Sequence, residues 1–182
     1  MAKFLDAIDE KTRRFIGEQK MFFTASAPLA ADGRVNLSPK GIDTFRVIDE
    51  RTVCYLDLTG SGNETAAHVA ENGRLTIMFC SFAGAPLILR LYGRGEIVRP
   101  GSEKWPELSA PFDDYPGARQ IVMLAIESLQ TSCGFGVPLY DFKADRSQLI
   151  EWAERKGEAG IEAYWRDKNR TSIDGLPTGI VE

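Results

Sequence analysis

The chain has 182 residues, 43% of them apolar and 26% charged, with a formal net charge of −4. That balance suits one folded domain with a core of its own and argues against disorder. The acidic net charge offers no basic excess to a nucleic acid, and the longest apolar run, Ile121–Ile126, falls far short of the ~20 residues that span a bilayer. Charged residues at Lys3, Asp6, Asp9, Glu10, Lys11, Arg13 and Arg14 interrupt any leader-like apolar stretch, so a cytoplasmic location is expected. Cys54, Cys80 and Cys133 are scattered, and His68 is the only histidine. Neither a disulfide framework nor a multi-histidine metal site is indicated.

Phe4, Leu5, Ile8, Thr12, Phe15 and Ile16 recur at helical spacing and predict an N-terminal helix over about residues 3–17, ended by Gly17. Strand patterns follow at Met21–Ala27 and, beyond the turn signal Asp32-Gly33, at Arg34–Lys40. Phe45–Ile48 and Thr52–Leu58 read as one hairpin, Leu75–Phe82 and Leu87–Val98 as another. Between them lie a glycine-rich loop, Thr59–Thr65, and a short helix stopped at Asn72-Gly73. Four prolines from Pro100 to Pro116 leave room for one short helix at most. Ile121–Leu129 is read as a strand, and a helical tail over about residues 144–182 holds two short helices, Ser147–Lys156 and Ile161–Lys168. The expectation is a single domain, mainly β, built as a small barrel with peripheral helices. The absence of strand–helix alternation argues against a parallel sheet.

Four segments are candidates for chemistry. On a strand, Asn36, Ser38 and Lys40 share one face and could present donors to a ligand; the alternative is a solvent-facing edge blunted by Pro39. The loop Thr59–Thr65 combines glycines, hydroxyls and the free N–H groups of a helix start, an anion cradle or merely a capped helix. Glu64 suits the helix dipole and repels a phosphate. Arg90, Tyr92 and Arg94 give Leu87–Val98 a basic face, for an acidic ligand or for surface ion pairs. Gly134 and Gly136 flank Phe135 in a tight loop beside Cys133, whose thiol is read as buried and inert. His68 reads as a satisfied or surface residue rather than a catalyst. Asp57, among apolar neighbours, either faces solvent or bonds to a ligand.

Taken in order from Met21 to Val98, these segments resemble the pyridoxamine 5'-phosphate oxidase-like FMN-binding split-barrel family, with a tail like that of an uncharacterised subgroup. The resemblance implies a homodimer with FMN at its interface, held by Asn36, Ser38, Pro39, Lys40, Leu58, Thr59, Asn63, Thr65 and Arg90. It implies an FMN-dependent oxidoreductase acting on a small-molecule substrate or a nicotinamide reductant. A flavin-storing, carrying or sensing protein and a deazaflavin-dependent reductase are the alternatives. Phe135 and Gly136 are expected to border the substrate pocket. Two features depart from the oxidase: Asn63-Glu64-Thr65 stands where the oxidase has two basic residues, and its substrate-binding Arg and His find no counterpart. The position of His68 argues against haem ligation.

Overall fold

A computed structural model describes residues 2–181. Eight strands form one antiparallel sheet: β1 (Lys3–Leu5), β2 (Phe22–Ser26), β3 (Asn36–Lys40), β4 (Phe45–Val47), β5 (Thr52–Leu58), β6 (Arg74–Cys80), β7 (Ile88–Val98) and β8 (Ala118–Ser132). Four helices join them: α1 (Glu10–Glu18), α2 (Glu64–Asn72), α3 (Trp105–Ser109) and α4 (Gln148–Lys168). The strand order is β3-β2-β6-β7-β8-β5-β4, with β1 added along β8. The sheet curls around its core, and β3 and β4 end the series without pairing to each other, so the barrel is split.

Period-two patterning explains why β5 and β8 read as unbroken apolar runs. Val53 and Tyr55 of β5, with Val122, Leu124 and Ile126 of β8, enter the barrel core. Their neighbours Cys54, Leu56 and Ile121 face outward, where Trp105, Leu108 and Phe112 cover them in a second core. Both sides are covered along β5 and the first half of β8, so alternation disappears from the sequence there. Phe22, Phe45, Tyr55 and Phe79 meet in the barrel core, with ring centroids 5.0–5.8 Å apart. Gly93 of β7 lies opposite a bulge in β8, where Tyr92 pairs with Ser128 and Gly93 with Ile126, leaving Glu127 as the extra residue. A Cβ there would meet the Ala125 carbonyl oxygen at 2.0 Å, so the bulge requires glycine.

The expected strands and both hairpins are present, and the segment 121–129 lies inside the longest strand. The ends of the chain differ from expectation. Lys3–Leu5 is not helical; it pairs with Leu129–Thr131 as β1. The helix begins only at Glu10 because Asp9 caps it, accepting from the Thr12 N–H at 2.7 Å. Gly17 stands inside α1, which is capped at Gln19. The two expected C-terminal helices are the halves of α4, broken at Gly157, whose φ of 64° and ψ of 170° are not helical. Beyond Lys168 the tail is not helical. It folds back through a Thr171–Pro177 bridge and a 2.5 Å hydrogen bond from the Thr178 hydroxyl to the Asn169 carbonyl. No helix among the described residues is long and apolar enough to cross a membrane.

Candidate functional site

A polar cleft of about 390 Å³ opens between β3, the end of β5 and the start of α2. Strand β3 contributes Asn36, Ser38, Pro39 and Lys40; the loop contributes Gly60, Ser61, Gly62 and Asn63; the helix contributes Glu64 and Thr65. The side chains are tied to one another. Ser38 Oγ donates to Asn36 Oδ1 at 2.8 Å, and Asn36 Nδ2 donates to Thr65 Oγ1 at 3.0 Å. The period-two face of β3 is therefore a ligand-facing or solvent-facing array pinned from behind, not a loose edge.

Asp57 anchors the floor. It is 2% exposed and takes three hydrogen bonds: from Lys40 Nζ at 2.7 Å, Arg119 Nε at 2.8 Å and Gln120 Nε2 at 2.9 Å. Burial alone would raise its pKa. The charges of Arg119 and Lys40, with their hydrogen bonds, outweigh burial and hold the carboxyl well below the usual carboxylate range. Asp57 thus neither faces solvent nor awaits a ligand; it is the fixed counter-charge of two cations.

A β-bulge makes this arrangement possible. Asp57 pairs with Gln120 and Leu58 with Ala118, so Arg119 is the extra residue on β8. In a regular strand Arg119 and Gln120 would point to opposite faces. The bulge turns both toward one carboxylate. Gln120 also donates to Asn63 Oδ1 at 2.7 Å, which fixes the residue before α2. Asn63 is 2% exposed and lines the cleft, and its Nδ2 has no partner among the described residues. Asn63 makes no side-chain cap, so the first N–H groups of α2 keep their hydrogen-bonding capacity.

The tail closes the back of the cleft. Asn169 accepts from Arg119 Nη1 at 3.0 Å and donates to the Gly60 carbonyl at 3.1 Å. Glu64 accepts from the Ile173 N–H at 3.0 Å, and Asp174 pairs with Arg34.

Six expected site residues come together here: Asn36, Ser38, Pro39, Lys40, Asn63 and Thr65. Three do not. Leu58 packs against the second core. Thr59 donates to the Gly117 carbonyl at 2.7 Å and accepts from Trp165 Nε1 at 2.8 Å, so its hydroxyl is engaged within the fold. Arg90, on β7, donates to Ser132 Oγ at 3.1 Å, away from the cleft. Phe135 is 81% exposed, and neither it nor Gly136 lines this cleft. Cys133 is exposed rather than buried. His68 is buried, with its Nδ1 3.0 Å from Ser26 Oγ. Arg119, Gln120 and Asn169 were not expected. The only sequence signal for the first two is a polar pair directly ahead of the apolar run at Ile121.

Fold and cleft together define a class: a split β-barrel whose sheet end, glycine loop and helix start enclose a polar cleft. Comparison with known proteins gives the family. Residues 8–133 match the family model of pyridoxamine 5'-phosphate oxidase. The pyridoxamine 5'-phosphate oxidase family protein ustO of Aspergillus flavus is 36% identical over 197 aligned positions, covering 97% of this chain and 78% of that protein. The chain therefore belongs to the pyridoxamine 5'-phosphate oxidase family. Among solved structures, a HupZ variant of Group A Streptococcus superposes with a TM-score of 0.55 at 21% identity, over 69% of this chain and 99% of its own. A Lactobacillus delbrueckii protein whose name carries the same oxidase gives 0.52 at 17% identity, over 69% and 94%. At such identities these two speak to the fold alone.

Proposed function

We propose that the polar cleft binds FMN and that the protein is an FMN-dependent oxidoreductase working as a homodimer. The observation that carries the reading is Asn63: a buried amide of a residue that lines the cleft, fixed through its oxygen by Gln120, with its Nδ2 left unpaired. A buried donor without a partner is costly, and a ligand carbonyl or hydroxyl would satisfy it. Lys40 has three N–H groups and spends one on Asp57. Ser61 and the α2 N–H groups add donors suited to ring carbonyls and a phosphate, and the Ser38 hydroxyl, its proton engaged by Asn36, offers a lone pair to a ribityl hydroxyl. Bound there, the flavin would supply the redox chemistry, taking a hydride or electrons from a nicotinamide or another small reduced molecule. This chain's residues bind and orient it. Arg90 is turned away from the cleft, so in the proposed dimer a contact from that strand would come from the second copy.

Titration of the purified protein with FMN tests the reading. The expected result is saturable quenching of flavin fluorescence, a dimer by light scattering, and bleaching of the bound flavin by NADH or NADPH with recovery on adding an electron acceptor. No quenching would overturn the cofactor. Tight FMN binding without reduction by any donor would instead leave a storage, carrier or sensor protein. A deazaflavin that binds where FMN does not would point to the reductase class.

Lys40 and Arg119 are balanced in the cleft by Asp57 and Glu64, so a phosphate dianion meets no net positive charge. Glu64→Gln keeps an acceptor for the Ile173 N–H and removes one negative charge at the helix start. Relief of repulsion in this solvent-open site is expected to be about 1 kcal/mol, roughly a fivefold gain in FMN affinity. Riboflavin, which lacks the phosphate, should show no gain. Parallel titrations of the two flavins check this.

A further inference from the structure

Pro39 and Lys40 form a wall shared by two clefts. On one side lies the polar cleft; on the other opens a larger one of about 710 Å³. Its far wall is the extended arm between β8 and α4. Three aromatic rings line it: Phe82, Tyr140 and Phe142. The arm is held in place there. The Tyr140 N–H donates to the Phe82 carbonyl at 2.8 Å, and the two rings lie 5.6 Å apart. The Lys20 ammonium sits 5.7 Å from the centre of the Phe142 ring. Yet Tyr140 and Phe142 remain 63% and 54% exposed. Large rings fixed in position but left open to water mark a surface built to be covered.

Ile42, also in this cleft, has a φ of 55°. That conformation is an outlier for a β-branched residue, and such strain concentrates at ligand clamps. The size and apolar lining match those of small-molecule sites. Charge does not select the ligand. Once Lys40 is set aside with Asp57, three cationic side chains along the cleft face three acidic ones.

We infer that this second cleft is the substrate site and that it takes a planar aromatic molecule, stacked between the rings of the arm and the Pro39–Lys40 wall. Its role as a substrate site rests on the flavin reading, because the shared wall would bring the two ligands side by side; its capacity to bind does not. The arm thus contributes through Tyr140 and Phe142, several residues beyond the expected Phe135 and Gly136. Phe135 and Gly136 line neither cleft.

Indole, with cyclohexanol as a non-planar control, tests the inference by ligand-observed NMR, with and without FMN. The wild-type chain should bind indole saturably and prefer it to cyclohexanol. Tyr140→Ala/Phe142→Ala alters two exposed rings outside the core. It should weaken indole at least tenfold while FMN affinity stays within twofold and the oligomeric state is unchanged. Three results would overturn the inference: no indole binding or no preference over cyclohexanol, equal binding by the double variant, or a change of oligomeric state in that variant. The last would make the ring-lined face an interface between copies. Indole binding in a chain that takes no FMN would retain the aromatic site and reject the flavin reading.

Discussion

Asp57→Asn is expected to lower the unfolding free energy at pH 7 by about 3–5 kcal/mol, the usual cost of removing one partner from a buried ion cluster. The side chains of Arg119 and Asp57 are each 3% exposed. An asparagine preserves the shape but leaves the Arg119 guanidinium buried without a counter-charge, and its NH₂ would face donors from Lys40, Arg119 or Gln120. Acid should narrow the gap between wild type and variant. The Asp57 carboxyl has a lower pKa in the folded chain than the roughly 3.9 of an unfolded one, because its two cations outweigh its burial. Its contribution is therefore complete above about pH 4 and declines as pH falls toward the folded value. Urea unfolding at pH 7 and at pH 3 checks both points. A variant as stable as wild type at pH 7 would show that the cluster does not hold the cleft together.

The same cluster shows what was legible in the sequence. Asn36, Ser38 and Lys40 could be placed on one face because a strand repeats every two residues, whatever it pairs with. The glycines before α2 announced a loop leading to a helix start, and Gly73, at φ 71°, ended that helix as a C-cap glycine does. Arg119 was not legible. Its direction depends on a bulge, and a bulge depends on the register between β5 and β8, strands some sixty residues apart in the chain. Thr59 misled for a similar reason. Local pattern put a hydroxyl at the mouth of the loop, but Trp165, from the far end of the chain, engages it. The N-terminal residues were read as helical because Phe4 and Leu5 continue the periodicity of α1. The Asp9 cap and the open edge of β8 decided otherwise. Local chemistry, in short-range patterns, was readable; contacts that depend on strand register or on the returning tail were not.

Lys40→Ala should weaken FMN by about 1.5–3 kcal/mol, some ten- to more than hundredfold, the range for a hydrogen bond to a charged group. The fold should survive this change better than it survives Asp57→Asn. Lys40 is the more exposed of the two cations, at 23% of its side chain, and Asp57 keeps Arg119 and Gln120 when it is gone. Comparison of two flavins locates the contact. Under the proposed reading the Lys40 ammonium serves the phosphate, so FMN should lose affinity while riboflavin, which lacks the phosphate, should not. An equal loss for both flavins would move the ammonium to the ring or ribityl chain, and the cleft would then be occupied in the opposite sense. Fluorescence titration of both flavins, with urea unfolding of the same variant, separates these outcomes. Unchanged affinity for both flavins in a folded Lys40→Ala chain would remove Lys40 from the site and leave its ammonium as a partner of Asp57 alone.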